Sequence, residues 1–342
     1  MLRDPRPVCR NAWGLLWLGA GCCLALSIGC TSGNGSGVSP SARQSVSIGV
    51  PNEPLGVLVV IAQQQGFFAE AGLDVDMAKT YPSGKRALAG MLEGEVDLTI
   101  SSEVPLVFRA FEQDDFRILA TIGTSDNEPQ IIVRRDKGIE NPADLGGKKI
   151  ATQKASAVHY FLHLFLSKHG IDDAEVTYLK AEDLPPALAD GTIDAFSMRE
   201  PFIGRARELI GDEAQVFSEP GMYRKTMNLV ALDELVEQRP AAVERVLRAI
   251  IQAETFFREN RAAAVAIAAE QLSTDPQALG ALLDEVELQV ALSQALVVAL
   301  EDEARWAIDN GFVDQQQVPD FEKLIAADAL RAIEPAVVTV MQ

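Results

Sequence analysis

The chain has 342 residues, 48% of them hydrophobic, and a formal net charge of −19 at pH 7. That length leaves room for two domains, each with a proper core. The acidic balance argues against nucleic acid or an anionic membrane surface as a partner.

The N-terminus stands apart. Arg3, Arg6 and Arg10 precede an uncharged stretch, residues 11–29, that ends in "LALSIGC". A positive segment followed by an apolar one is the pattern of a secretory signal. The stretch resembles a bacterial lipoprotein signal, in which small residues precede a cysteine that becomes the acylated first residue. Here that cysteine is Cys30, although Ser27 stands where a leucine is usual. A retained membrane anchor is the competing reading, since residues 11–29 nearly reach the length of a span. The polar run "TSGNGSGVSPS" that follows at once reads as a flexible tether. All four cysteines (Cys9, Cys22, Cys23, Cys30) lie in this segment. A processed chain would therefore have no disulfide, zinc cluster or cysteine nucleophile.

From Gln44 onward strands and helices alternate. "SVSIGV" is a short strand, "LGVLVVIAQQQGFF" an apolar helix interrupted at Gly66, and "LDVDMA" a strand. "GKRALAGMLEGE" has helical spacing and "VDLTI" reads as a buried strand. A second set begins after "QIIVRRD", with "KKIATQ", a helix over about residues 156–169, "EVTYLK", a helix over 184–189 and "IDAFSM". "MNLVALDELV" reads as a return crossing, and beyond Arg239 the chain is almost purely helical. In "PAAVERVLRAIIQAETFF" the apolar stripe is broken once, at Glu254.

This alternation predicts an α/β fold with largely parallel sheets. The simplest arrangement has two lobes joined by two crossovers, near 125–136 and 222–232, with the C-terminal helices packed on the first lobe. The expected boundaries are a signal at 1–29, a tether at 30–44, a first lobe at 45–130 and 228–342, and a second at 131–227. A hinged pair of lobes leaves a cleft, a common place for ligands.

"VVIAQQQGFFAEAGLDVDM", "YPSGKRALAGMLEGEVDLTISSEVPLVF", "LADGTIDAFSMREPF" and "ARWAIDNGFVDQQQVPDFEKLIAADAL" follow one another in order. Together they resemble periplasmic substrate-binding proteins of the nitrate, sulfonate and taurine ABC-importer family, over about residues 46–333. The resemblance implies a two-lobed type II periplasmic-binding fold and the delivery of a small ligand to a permease.

Three segments carry backbone N–H groups where strands give way to helices: "PSG" (82–84), "SSEVP" (101–105) and "KASAVHY" (154–160). Helix N-termini suit anions, so Ser83, Ser101, Ser102 and Ser156 are candidate ligand residues, although serine also caps helices without any ligand. Gly56 in "PNEPLG" and Thr124 in "GTSD" are weaker candidates. His159 and His163 are four apart on a helix, but a third metal ligand is missing, so no metal is expected. His159 alone is a candidate for a hydrogen bond to the ligand.

"MREPF" matches the place where the family has an acid, a proline and an aromatic. Glu200 takes the position of the acid, and Arg199 replaces what is often a tryptophan. Successive strand residues face opposite ways, so the two need not both enter the cleft. Glu200 would receive a cationic or donating group, and Arg199 an oxyanion.

The expected function is a lipid-anchored, extracytoplasmic solute-binding component of an ABC importer, without catalysis or cofactor. Its partners would be an anionic or zwitterionic small molecule, a permease with its ATPase, and the membrane through the anchor, the chain itself being a monomer. The rivals are a sensor for a membrane kinase and a fold-related enzyme of pyrimidine-precursor or menaquinone synthesis.

Overall fold

Apolar strands that break at a glycine, serine or proline, each followed by a helix, set the architecture. The computed structural model describes residues 43–341. The expected signal, Cys30 and the tether up to residue 42 lie outside them. The described residues build two mixed sheets.

The first sheet has the order β2 (Leu73–Asp76), β1 (Gln44–Pro51), β4 (Leu98–Ser102), β11 (Lys225–Leu232), β5 (Phe116–Ser125), with the short β3 (Thr80–Tyr81) on the end of β1. β1 is parallel to β2, β3 and β4, whereas β11 is antiparallel to both neighbours. The second sheet has the order β10 (Ala214–Phe217), β6 (Gln130–Arg134), β9 (Ala195–Met198), β7 (Lys149–Thr152), β8 (Glu175–Tyr178). Its β7, β8 and β9 are parallel and its other two strands antiparallel. The chain passes between the sheets twice, after β5 and before β11, close to where the sequence places its crossovers.

On the first sheet pack α1 (Val57–Gln64), α2 (Phe67–Glu70), α3 (Gly84–Leu92) and α4 (Glu103–Ala110). Gly66, at φ +77°, turns the chain between α1 and α2 in a conformation that only glycine adopts cheaply. The second sheet carries α5 (Ala157–Lys168), α6 (Leu184–Ala189) and α7 (Phe202–Ile210). The C-terminal part is α8 (Asp233–Gln238), α9 (Pro240–Glu259), α10 (Arg261–Leu272), α11 (Pro276–Leu283), α12 (Gln294–Asp309) and α13 (Asp328–Ile333). α9 lies against α1 and α2, α13 against α9, and α12 against α4, so these helices cover the first sheet.

The packing explains the broken stripe of α9. Val243, Leu247 and Ile250 are buried, each stabilising the fold by about 1.5–3 kcal/mol relative to exposure. Glu254 accepts a hydrogen bond from the Val290 N–H at 2.8 Å, tying down the segment before α12. A second, smaller core gathers Ile132, Phe196, Leu188 and Ile203 beneath the second sheet. No helix among the described residues is long and apolar enough to cross a membrane.

Candidate functional site

The parallel strands of both sheets point their carboxyl ends at one region, the usual place for a ligand in open α/β sheets. β3 leads through Ser83 into α3, β4 through Ser102 into α4, and β7 through Ser156 into α5. These three serines, from both sheets, line one small cavity together with Glu53, Lys85, Gln153, Arg199 and Lys225. Its volume is about 20 Å³, little more than a water molecule needs. Three helix N-termini and three cationic side chains thus converge on one point, an arrangement suited to an oxyanion.

The hydroxyls are partly engaged. Ser83 Oγ accepts from the Arg86 N–H at 3.4 Å, as an N-cap does. Ser156 Oγ donates to the Gln153 carbonyl. Ser102 makes no side-chain cap. Opposite them, Lys85 Nζ donates to the Lys154 carbonyl at 2.6 Å, linking α3 to the loop that enters α5.

Beside the cavity lies a buried ionic cluster. Arg199 Nη2 is 2.6 Å from Glu53 Oε1, and Lys225 Nζ is 3.0 Å from Glu53 Oε2 and 2.5 Å from Glu128 Oε2. Glu53 Oε1 also accepts from the Gly84 N–H, the first amide of α3, at 2.9 Å. All four side chains are at most 5% exposed. Burial alone would raise the pKa of Glu53, but Arg199 and Lys225 outweigh it and hold the carboxyl well below its usual range. Burial would likewise lower Lys225, yet Glu128 and Glu53 keep its pKa raised. Glu128 Oε1 has no hydrogen-bond partner among protein atoms, with Arg199 Nε 4.0 Å away.

The other residues singled out in the sequence fall elsewhere. Glu200 Oε2 accepts from the Gly204 N–H at 2.9 Å in the first turn of α7. With Pro201, Asn52, Pro54 and Leu272 it borders a separate cavity of about 130 Å³. Arg199 and Glu200 therefore part company, as strand alternation allows. Ser101 is buried within β4, its Oγ 3.3 Å from the Ser102 carbonyl. Thr124 Oγ1 accepts from Arg224 at 3.0 Å in a more exposed place. Gly56 serves close packing: a Cβ there would come within 2.3 Å of Ile100 Cδ1.

His159 is buried and borders a cavity of about 460 Å³ with His163, Tyr178, Trp306 and Phe312. Its Nδ1 accepts from the Ala155 N–H at 3.3 Å, which leaves the ring proton on Nε2, 3.3 Å from the Tyr178 hydroxyl. Burial, with the charges of His163, Lys154 and Lys85, lowers its pKa to about 3, so the ring is neutral. Ala155 itself has φ +54°, a strained turn for a residue with a Cβ, placed just before α5. Among the described residues no cluster of three or more His, Cys, Asp or Glu side chains could hold a metal ion.

A second acidic pair adjoins the site. Glu103, the first residue of α4, accepts from the Thr226 N–H and hydroxyl, each at 2.9 Å, and from the Tyr223 hydroxyl. Burial raises its pKa to about 7 against the opposing effects of the bonds from Thr226 and of Lys225. Glu303 on α12 is buried without a hydrogen-bond partner. Burial, then the charges of Glu103 and Asp302, raise it well above the usual value.

The chain matches the family described as NMT1/THI5 like over residues 56–264. A putative binding protein of Brucella abortus (strain 2308) is 27% identical over 223 residues, 64% of this chain and 68% of that protein. The taurine-binding periplasmic protein of Escherichia coli (strain K12) is 26% identical over 224 residues, again 64% of this chain and 68% of the relative. Among solved structures, the alkanesulfonate-binding protein SsuA from Xanthomonas axonopodis pv. citri, bound to MOPS, has a TM-score of 0.71 and 20% identity. That likeness covers 84% of this chain and 99% of the other. At such identity it speaks for the fold, which is the two-lobed one that the sequence resemblance implied.

Proposed function

The chain belongs to the NMT1/THI5-like family, and on that premise we propose that it is the solute-binding component of an ABC importer for a small organic anion of the sulfonate type. The observation that carries this reading is the convergence of Ser83, Ser102, Ser156, Lys85, Arg199 and Lys225 on one cavity. Helix N-termini and a guanidinium bind the oxygens of an anion without needing a metal. The name of the taurine-binding relative supports the same ligand class. In this reading the two lobes close on the solute, and the chain is held at the membrane through acylated Cys30 after export.

A thermal-shift screen over sulfonates, nitrate, small carboxylates and pyrimidines tests the ligand class. A ligand present at a hundred times its Kd stabilises the native state by about 2.7 kcal/mol. A sulfonate is expected to raise the melting temperature most. A pyrimidine that did so while every anion left it unchanged would refute the anion reading. Mass spectrometry of the mature N-terminus tests the anchor, and a soluble, unmodified chain starting elsewhere would overturn it.

A further inference from the structure

The carboxylate of Glu53 already has the surroundings that a solute oxyanion would seek. It is bonded on three sides, by the first amide of α3 (Gly84 N–H, 2.9 Å), by Arg199 at 2.6 Å and by Lys225 at 3.0 Å. Two of these donors are cations and the third is a helix N-terminus, the set that recognises carboxylate, sulfonate and phosphate groups. The space remaining next to it, about 20 Å³, takes no group of three oxygens. Glu53 is carried by the loop after β1 of the first sheet, while Arg199 follows β9 of the second. Their ion pair therefore also ties one lobe to the other.

We propose that Glu53 is a tethered occupant of the anion position, which the solute's acidic group must displace from Arg199, Lys225 and the α3 N-terminus. The proposal rests on the reading of the cavity as an anion site and adds a regulator to it. A tethered group competes at a high effective concentration. The apparent affinity for a solute is thus the intrinsic one multiplied by the fraction of molecules in which Glu53 has left the site. The device is selective. An anion that offers only what a carboxylate offers gains little by the exchange, whereas one with a third oxygen for Lys85 or for the Ser102 and Ser156 amides gains a further bond. Glu128 stands 2.5 Å from Lys225 and 4.0 Å from Arg199, so Lys225 is not left unpaired when Glu53 leaves.

The experiment uses the full chain and Glu53→Gln, with ethanesulfonate as the probe. Gln keeps the shape and the acceptor for Gly84 but removes the competing charge. Calorimetry is expected to show ethanesulfonate binding to E53Q roughly ten- to a hundredfold more tightly than to the wild type. Equal or weaker binding would overturn the proposal, weaker binding meaning that Glu53 holds the solute rather than competing with it. If ethanesulfonate binds neither protein, small-angle scattering without additive decides. A larger radius of gyration for E53Q supports the clasp, and an identical one overturns it, while the absence of binding counts against the anion reading by itself. Should E53Q fail to fold, Glu53→Asp carries the same tests with the same signs, since its shorter side chain cannot reach Gly84, Arg199 and Lys225 together.

Discussion

Arg199, just after β9 of the second sheet, and Glu53, in the loop after β1 of the first, form an ion pair of 2.6 Å between side chains that are 4% and 5% exposed. Breaking such a pair from one side leaves a buried charge short of a partner, which costs about 3–5 kcal/mol. Arg199→Met is therefore expected to lower the stability of the protein, partly offset by Lys225, which still faces Glu53. The same variant should bind ethanesulfonate at least tenfold more weakly. Chemical denaturation and calorimetry on one preparation check both effects, and an unchanged affinity would remove Arg199 from the anion site.

Lys85 lines the cavity and donates to the Lys154 carbonyl. Lys85→Met keeps the apolar stem and removes the charge. Affinity for an anion should fall by roughly ten- to a hundredfold, the loss of one charge-assisted hydrogen bond. The melting temperature without ligand should change little, because Lys85 is only half-buried. A large fall in melting temperature with unchanged affinity would assign Lys85 to the fold alone.

Glu200 is bonded to the first turn of α7 through the Gly204 N–H. An acid there satisfies an otherwise free amide and sits at the positive end of the helix. Glu200→Ala is expected to cost about 0.5–1 kcal/mol of stability. Calorimetry separates this from a role in the ligand site: a tenfold loss of anion affinity on top of the stability change would give Glu200 a place on the ligand as well.

Stability should depend on pH through Glu103 and Glu303. Both have pKa values raised in the folded protein, Glu103 to about 7, with burial the first cause. The folded state thus binds more protons than the unfolded one between the ordinary glutamate range and pH 7. The contribution is complete below about pH 4 and is lost as pH rises through 7. Glu53 acts the other way, its lowered pKa giving a contribution that disappears in acid. His159, its pKa lowered to about 3, works against this below the ordinary histidine range, so the check is a difference: denaturation midpoints of Glu303→Gln are expected to fall less steeply with rising pH than those of the wild type. Tyr160 and Tyr223 border the pair, and burial raises the pKa of Tyr160 to about 12, so it stays neutral across the window. Identical profiles for the wild type and Glu303→Gln would contradict this assignment.

Gly56 offers a test of packing free of ligand. A methyl group there meets Ile100 Cδ1 at 2.3 Å in a buried position. Gly56→Ala is expected to destabilise by about 1–3 kcal/mol through overpacking, as thermal or chemical denaturation would show.

Much of the fold was legible because local pattern and final structure agree. The apolar runs at 57–62, 98–100 and 195–198 lie buried in α1, β4 and β9, and Gly66 broke its helix where the sequence says it should. The three serines at strand ends were legible for the same reason, since a strand, a cap and a helix are all written locally. Glu53, Glu128 and Lys225 were not. Lys225 meets Glu53 across 172 positions and Glu128 across 97, distances that no local pattern spans. One signal was present: a lysine heads a largely apolar strand, "KTMNLVAL", of which every residue but the last is buried. A charge in that place needs buried partners of opposite sign. Lys85 carries no such signal, because a lysine at the second position of a helix ordinarily faces water.

The position of β11 has a consequence for the order in which the molecule can form. β4 and β5 do not pair with each other; β11 stands between them and bonds to both. Its residues, Lys225–Leu232, come after the whole of the second sheet in the chain. A chain emerging from its N-terminus, or cut short before residue 225, has the first sheet divided in two, with open edges on β4 and β5. The first lobe thus cannot finish before the second has been made, and the long-range pairing slows its completion. A fragment ending at residue 224 should aggregate or bind a chaperone rather than fold, even though most of the first sheet's strands lie within it.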